Sequence, residues 1–298
     1  MATIAITGAS GFIGTALSDF LRRQGARVRP LVRPGNQAPD GIAWDPEKGS
    51  VDVEALEGLD ALVHLAGEGV ADGRWTDAKK VRIRDSRVRG TTILSDAIAI
   101  LHAKPKVWVS GSAIGYYGDR GGDDVDESAG PGSDFLAQVT VAWEAAAAPA
   151  ADLGVRVVHP RLGIVLDPRG GALAKMLLPF KVGIGGKLGS GTQQMSWISL
   201  ADTVRALVHT IDSVGLSGPV NITAPNPVSN AELTRALGVA LHRPTFFPLP
   251  GLLARLALGE LADVALLGGV RALPTRLLAS GFRFEEPDLS AYLARALA

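Results

Sequence analysis

Short apolar runs alternate along the chain with stretches in which apolar residues recur at helical spacing. The first run, Ile4 to Ile6, precedes Ala16, Leu17, Phe20 and Leu21, whose spacing predicts an amphipathic helix. Such runs are typical of parallel strands covered on both faces. Further strands are predicted at 26–32, 42–44, 61–65, 107–109, 156–158 and 220–223, and helical stretches at 76–103 and 135–151. The pattern predicts an α/β fold, a Rossmann-type doubly wound parallel sheet.

The pattern changes towards the carboxyl end. Ser229 and Glu232 form a capping box, and the alanine- and leucine-rich tail after it predicts a smaller, mainly helical C-terminal lobe. We therefore predict a dinucleotide-binding Rossmann domain over residues 1–225, with a substrate-lobe insertion near 167–198, and a C-terminal substrate-side lobe over 226–298. From 170 to 191 glycine is frequent and helix–strand alternation is lost, which predicts a loop, a lid or a substrate clamp.

Three glycines, Gly8, Gly11 and Gly14, connect the first predicted strand to the first predicted helix. Glycine permits a sharp turn, close approach of backbone to a pyrophosphate and tight packing of helix on strand. The helix then directs its free N–H groups and its positive dipole end towards the phosphates. The alternative is an ordinary strand-to-helix turn. We predict a dinucleotide site.

Arg33 ends the second predicted strand about 20 residues after the glycine turn, where NAD-binding folds carry an acidic residue. A guanidinium at that position pairs with a 2′-phosphate, and the alternative is a solvated surface arginine. The sequence therefore predicts NADP as cofactor, with NAD less favoured.

Composition narrows the class of protein further. Hydrophobic residues make up 47% of the chain and charged residues 20%, with a formal net charge of +0 and no cysteine. Disulfides and thiolate metal sites are excluded, and nothing in the charge balance favours nucleic acid or a membrane surface. No His-rich or carboxylate cluster has metal-ligand spacing, so no catalytic metal is predicted. We expect a cytoplasmic protein that acts on a small molecule as a monomer or homodimer.

Several motifs carry a family resemblance. Residues 7–14, TGASGFIG, resemble the extended short-chain dehydrogenase/reductase family, and 64–68, 73–75, 86–88, 113–118 and 281–284 resemble its atypical epimerase-like branch with a C-terminal domain of unknown function. The resemblance implies a nicotinamide dinucleotide at the carboxyl edge of the sheet. Arg82 and Arg87 belong to a cationic run whose members either contact phosphate or form a solvated face. The candidate cofactor-binding residues are Gly8, Ser10, Gly11, Phe12, Ile13, Gly14, Arg33, Leu65, Ala66, Gly67, Arg82, Arg87, Ser110, Arg161 and Val165.

One departure from the parent family concerns its proton relay. Ser112 matches the catalytic serine that the resemblance implies, and that family adds a tyrosine with a lysine one helical turn later. No tyrosine or lysine occurs between Gly118 and Ala174, and the residues near 136–140 are mostly apolar or uncharged. Chemistry by the parent mechanism is therefore in doubt.

Three other side chains are candidates for the missing proton transfer. Tyr116 and Tyr117 follow Ser112 closely and either supply a phenol or pack under the loop, whereas Glu68 is either a carboxylate base or a partner of backbone N–H groups. A phenol without a lysine keeps a pKa near 10 and is a poor base at neutral pH. We predict an NADP(H)-binding, oxidoreductase- or epimerase-like protein for an unidentified small organic substrate; the alternative is a catalytically inactive NADP(H)-binding sensor or regulatory protein.

Overall fold

The central sheet determines how the rest of the chain is arranged. The computed structural model describes residues 1–298, and nine strands form this sheet. They are β1 (Thr3–Thr7), β2 (Arg27–Val32), β3 (Ile42–Asp45), β4 (Ser50–Val51), β5 (Ala61–His64), β6 (Val107–Ser110), β7 (Ser112–Ala113), β9 (Arg156–Leu162) and β13 (Gly218–Ile222). The order across the sheet is β13-β9-β6-β5-β1-β2-β3-β4, with β7 paired to β9. Every pair is parallel except β3–β4.

The strand order reverses beside β1, because the chain adds β2 and β3 on one side and β5, β6, β9 and β13 on the other. Crossovers on opposite faces leave a crevice at the carboxyl ends of the strands at such a point, and ligands of open α/β sheets bind there. The predicted doubly wound parallel sheet is therefore confirmed, and its switch point lies next to the glycine turn that follows β1.

Helices cover both faces of the sheet. They are α1 (Phe12–Arg23), α2 (Asp77–Ile100), α3 (Phe135–Ala145), α4 (Ala148–Asp152), α5 (Gly171–Lys181), α6 (Leu200–Asp212), α7 (Asn230–Leu241), α8 (Gly251–Leu258), α9 (Glu260–Ala262), α10 (Thr275–Ala279) and α11 (Leu289–Ala296). Ile4 and Ile6 pack with α1 and α6 on one face, whereas Ala5 packs with α2 on the other. This alternation follows from the period of two along a strand.

Two predicted elements differ from the structure. The stretch from 135 to 151 is not one helix, because α3 ends at Ala145 and Pro149 lies in the first turn of α4. The stretch from 170 to 191 was predicted to lack regular structure, and this is wrong for its first half, which forms α5. Leu173, Leu177 and Phe180 recur at helical spacing in α5 and are buried.

The C-terminal part is helical, as predicted, and it shares a core with α5. Side chains from α5, α7 and α11 form one apolar cluster with the short strands near 164–167 and 194–199. Those strands are β10 (Ile164–Asp167), β11 (Gln194–Met195) and β12 (Trp197–Ser199), with β14 (Val228–Ser229) paired to β11. The Ser229–Glu232 capping box is present at the start of α7. None of the helices has the length and apolarity needed to cross a bilayer.

The tail is also tied to the main sheet. Asp202, fully buried in the first turn of α6, accepts hydrogen bonds from the backbone N–H groups of Glu285 and Glu286, at 3.0 and 2.8 Å. Leu277 and Phe282 belong to the same core as β1 and α1. Strand β15 (Arg271–Ala272) pairs with β8 (Asp124–Val125). Residues after 270 therefore contact both the lobe and the sheet.

His64, at the end of β5, is a fully buried titratable group. Its Nδ1 atom lies 2.6 Å from the Thr7 hydroxyl oxygen, and its Nε2 atom has no hydrogen-bond partner. Trp44 packs edge-on against the imidazole, with ring centroids 5.9 Å apart. Burial, with a smaller contribution from the positive charge of Arg87, lowers the pKa of His64 to about 3. The folded protein therefore holds this histidine neutral.

We expect the free energy of unfolding to decrease as the pH falls below about 6.5, the ordinary pKa of histidine. The unfolded chain takes up a proton that folded His64 does not, so the loss at pH 5 is about 2 kcal/mol, and full stability is present above pH 6.5. Burial lowers the pKa of His159 as well, which adds to the loss in the same direction. Urea titrations at several pH values measure the free energy of unfolding. We expect His64→Gln to remove most of its pH dependence between pH 5 and 6.5. A wild-type protein whose stability does not change over this range would contradict the explanation.

Candidate functional site

The glycine turn after β1 depends on close backbone contacts. Gly8 has φ +67°, and a Cβ atom built on it would lie 2.9 Å from the Ala66 backbone nitrogen. A Cβ atom on Gly14 would overlap the carbonyl oxygen of Gly8. A Cβ atom on Gly11 would meet only that oxygen, at 3.1 Å, and otherwise points to open space. Gly8 and Gly14 are thus required for packing, whereas Gly11 keeps the space outside the turn free.

Helix α1 begins at this turn without a side-chain cap. Its N-cap residue is Gly11, and no side chain accepts a hydrogen bond from the first turn. The carbonyl of Gly8 accepts the Gly11 N–H at 2.9 Å, and the carbonyl of Gly11 accepts the Thr15 N–H at 2.9 Å. The N–H groups at the start of the helix are consequently available to an anion. The turn has the chemistry of a phosphate site.

A cleft of about 670 Å³ opens between this turn and the end of β2. Gly8, Ser10 and Thr15 line one side, and Arg33 lines the other. Arg22 also lines the cleft, and its guanidinium lies 3.7 Å from the Asp19 carboxylate in an exposed ion pair. Arg22 is not among the cofactor-binding residues predicted from the sequence. The signal was the helical spacing of Thr15, Asp19 and Arg22 on one polar stripe of α1.

Other predicted cofactor positions meet at the same edge. The Thr7 hydroxyl accepts hydrogen bonds from the N–H groups of Leu65 and Ala66, at 3.1 and 3.2 Å, which fixes the loop after β5. The ring of Phe12 packs against Gly170 and Gly171, where built Cβ atoms would approach it to 2.6 and 2.8 Å. Gly67 is exposed, Ile13 is partly buried in the core, and Val165 and Ser110 are buried.

Two arginines of α2 that were predicted to bind cofactor lie beside this edge: Arg87 is partly buried, and Arg82 is exposed. Arg87 donates to the backbone carbonyls of Glu68 and Ile83, both at 3.0 Å, and its guanidinium lies 5.1 Å from the centre of the Trp143 ring. Burial lowers the pKa of Arg87 to about 10, so it is still charged at neutral pH. Arg82 is exposed and lies 3.6 Å from the Glu68 carboxylate. Arg87 therefore supports the loop after β5.

Glu68 is an ion-pair partner in this structure. Its carboxylate accepts a hydrogen bond from the Lys79 ammonium at 2.6 Å, and this bond is the largest cause that lowers the pKa of Glu68 below its usual range. No hydrogen bond or ion pair joins Glu68 to Ser112, Tyr116 or Tyr117. Because an ionised, paired carboxylate accepts protons weakly, the pairing makes Glu68 a poorer base than the sequence suggested.

Ser112 belongs to a buried polar network. Its hydroxyl donates to Glu144 Oε1 at 2.6 Å. Arg161 donates to both carboxylate oxygens of Glu144, from Nε at 2.8 Å and from Nη2 at 2.9 Å. Ser112 is 1% exposed and Arg161 is 3% exposed. The only hydroxyl proton of Ser112 is therefore directed at Glu144, and Arg161 holds that carboxylate in place.

The two tyrosines enclose Arg161 from its other side. Tyr117 is fully buried; its hydroxyl donates to Asn221 Oδ1 at 2.7 Å and accepts from Arg161 Nη1 at 3.0 Å. Burial raises the pKa of the Tyr117 phenol above its ordinary value. The Tyr116 ring lies 3.5 Å from the Arg161 guanidinium, and the Tyr116 side chain is partly exposed. The Tyr117 hydroxyl is therefore buried and already engaged in two hydrogen bonds, whereas the Tyr116 side chain is accessible.

Glu144 and Asn221 take part in this network but are not among the site residues predicted from the sequence. Glu144 carries the only charged side chain of α3, and an isolated carboxylate on an apolar helix was a usable signal. Asn221 gave no comparable signal, because its partner Tyr117 is 104 residues away in sequence. No group of His, Cys, Asp or Glu side chains is arranged to hold a metal ion.

Comparison with known proteins connects this arrangement to a family. Residues 4–223 match the model of the NAD dependent epimerase/dehydratase family, and residues 249–296 match a domain of unknown function, DUF1731. Epimerase family protein Mb2239 of Mycobacterium bovis is 46% identical over 295 residues, which are 99% of this chain and 97% of that protein.

Solved structures give the same result. Human epimerase family protein SDR39U1, isoform 2, crystallised with NADPH, superposes with a TM-score of 0.91 at 34% identity over 99% of both chains. A nucleoside-diphosphate sugar epimerase from Corynebacterium glutamicum superposes at 0.83 with 36% identity, over 99% of this chain and 58% of that one. The resemblance seen in the sequence motifs is thus confirmed, and this chain belongs to the NAD dependent epimerase/dehydratase family.

Proposed function

We propose that this chain binds NADP(H) in the cleft beside the glycine turn and uses it in oxidoreductase- or epimerase-like chemistry on a small organic substrate. The observation that carries the proposal is the uncapped N-terminus of α1, which opens at a glycine turn into a cleft lined by Arg22 and Arg33. The NADPH-bound human relative supports the same cofactor. When bound, a nicotinamide dinucleotide donates or accepts a hydride.

The residues present fit such a group. A side chain on Gly11 would project into the space that a pyrophosphate needs, and the first-turn N–H groups of α1 are free to bind its oxygens. Arg22 and Arg33 lie on two sides of the same cleft and suit a 2′-phosphate dianion. The loop of Leu65, Ala66 and Gly67 continues the edge towards Ser110.

The chain's own groups also limit the chemistry. Ser112 directs its proton at Glu144 and presents only lone pairs to anything else, so it accepts rather than donates. Tyr116 is the candidate phenol whose hydroxyl makes no hydrogen bond within the protein and whose side chain is partly exposed. We assign proton transfer to Tyr116, with Arg161 stacked on its ring as a positioning residue.

A second function has a specific observation in its favour. Ser112 is 1% exposed and its hydroxyl proton is already taken by Glu144, which is the state expected of a structural serine. This favours an NADP(H)-binding sensor without turnover. NADPH oxidation assayed against a panel of aldehydes and ketones separates the two functions, because a sensor binds NADPH and reduces none of them.

We expect NADPH to bind at least about tenfold more tightly than NADH, since one charge-assisted phosphate contact supplies the required 1.4 kcal/mol or so. Arg33→Ala and Arg22→Ala each remove most of this preference, and the double variant removes all of it, without weakening NADH binding. Calorimetric titration of both cofactors measures the effect. Arg23→Ala is the matched control, because Arg23 is exposed in the last turn of α1 and does not line the cleft. Equal affinity of the wild type for both cofactors would overturn the assignment.

A further inference from the structure

A small cavity lies apart from the candidate cofactor cleft and shares no lining residue with it. Its volume is about 150 Å³, it is partly open to solvent, and it is lined by the loop 114–118 after β7, the first turn of α3, the start of β10 and the segment 264–270. The loop and β10 follow β7 and β9, so the cavity lies at the carboxyl edge of the sheet, as the glycine turn does. Its wall residue Leu136 stands in the stretch where the parent family places its tyrosine–lysine pair.

The cavity presents an apolar surface to an occupant. Its apolar lining consists of Ile114, Leu136, Ile164, Val264, Ala265 and Val270. The neutral polar side chains are engaged elsewhere: Ser196 donates to the Val270 carbonyl at 2.7 Å and accepts the Ala272 N–H at 2.8 Å. Gln194 donates to the Thr192 carbonyl and accepts from Arg271, at 3.1 and 3.2 Å.

No cation lines the cavity, and its only charged side chain is the carboxylate of Asp134, which caps α3 through a hydrogen bond from the Ala137 N–H. Three arginines near these segments already have partners within the protein: Arg271 pairs with Asp124 at 2.6 Å, Arg161 pairs with Glu144, and Arg120 donates to the Tyr117 and Gly130 carbonyls. Recognition of a diphosphate requires arginine, lysine or free N–H donors. This wall would repel a nucleoside diphosphate.

The volume of the cavity also argues against a nucleotide sugar as its occupant. A cavity of about 150 Å³ with apolar walls holds a molecule of roughly the size of benzene, and pockets for drug-sized ligands start at about 300 Å³. A Cβ atom on Gly269 would overlap the backbone of Gln194, so the wall there is already in close contact. The cavity has little freedom to enlarge on that side.

We propose that this cavity receives the apolar end of a small, uncharged carbonyl compound or the matching alcohol, and that nucleotide sugars are not substrates. The proposal rests on the proposed NADP(H) chemistry. Reduction transfers one hydride to the carbonyl carbon and one proton to its oxygen, and it leaves an alcohol and NADP⁺. Under this proposal the substrate of this chain differs from the nucleoside-diphosphate sugar named for the Corynebacterium glutamicum epimerase, although the two proteins have similar folds.

The experiment uses the full chain with NADPH and four test compounds: benzaldehyde, cyclohexanone, UDP and UDP-glucose. We expect NADPH oxidation with at least one of the two carbonyl compounds and no calorimetric binding of UDP or UDP-glucose. Leu136→Phe fills part of the cavity and raises the KM for the carbonyl compound by about tenfold, with the NADPH dissociation constant unchanged. Val141→Phe, on the 40% exposed outer face of the same helix, is the control and changes neither value.

The outcomes separate the two proposals. If NADPH does not bind, the proposed function fails. If NADPH binds but neither carbonyl compound is reduced, the substrate class is wrong and the sensor function is favoured. If a carbonyl compound is reduced but UDP or UDP-glucose also binds, or Leu136→Phe leaves the KM unchanged, the substrate class is wrong while the proposed function stands.

Discussion

Gly11→Val is expected to weaken NADPH binding by at least about 100-fold, a loss of about 2.7 kcal/mol, with the fold intact. A Cβ atom at this position meets only the Gly8 carbonyl oxygen at 3.1 Å, so the helix tolerates it after a small shift. The branched side chain instead fills the space in front of the first-turn N–H groups of α1. Calorimetric titration with NADPH, together with the far-ultraviolet circular dichroism spectrum, measures both parts of the prediction.

Gly14→Val is the matched comparison for this variant. Its Cβ atom overlaps the carbonyl group of Gly8 and lies close to the Ala9 Cα atom, so the backbone of the turn would have to move. We therefore expect Gly14→Val to lose folding and Gly11→Val to lose only binding. A folded Gly11→Val protein with wild-type affinity for NADPH would show that the pyrophosphate lies elsewhere.

Glu144→Ala is expected to destabilise the fold by about 3–5 kcal/mol, because it leaves the guanidinium of Arg161 buried without its anion. Arg161 is 3% exposed and loses both charge-assisted hydrogen bonds to Glu144 in this variant. Ser112→Ala, which removes only a hydroxyl donor from the same carboxylate, costs about 1 kcal/mol. Urea denaturation of the variants and the wild type measures the difference.

The double variant Glu144→Ala/Arg161→Met is the control for this interpretation. Removing both charges replaces the unpaired buried cation by an apolar side chain, and we expect it to recover part of the stability lost in Glu144→Ala. If Glu144→Ala alone costs no more than Ser112→Ala, the ion pair does not hold the network together, and Arg161 finds another anion.

Features with local causes were predictable from the sequence. The glycine turn is recognisable from residues within one strand–turn–helix unit, although Gly8 also packs against Ala66, and the capping box at Ser229 depends on four consecutive residues. Helix α5 was missed because the frequent glycines near it were taken for a break. Gly170 and Gly171 in fact lie where the ring of Phe12 leaves no room for a side chain, and this contact spans about 160 residues of sequence.

The polar network shows why the site was harder to predict than the fold. Ser112, Tyr117 and Arg161 were each singled out as contacts of substrate or cofactor. The structure makes them partners of one another through Glu144 and Asn221, and Asn221 lies on a strand at the far end of the sheet order. Which side chains share a carboxylate is decided by strand order and register, and neither can be derived from local patterns of residues.

The bonds from Glu285 and Glu286 to buried Asp202 have a consequence for the order of assembly. They close loops of 83 and 84 residues, and the Tyr292 hydroxyl donates to the Leu166 carbonyl across 126 residues. Contacts of such separation form late, because loop-closure entropy must be overcome before they contribute. During synthesis the strands up to β9 have their neighbours well before residue 285 emerges, whereas until then the Asp202 carboxylate of α6 has only its ion pair with Arg205. A ribosome stalled before residue 285 would therefore hold a largely formed central sheet beneath a lobe that still lacks the contacts of residues 285–298.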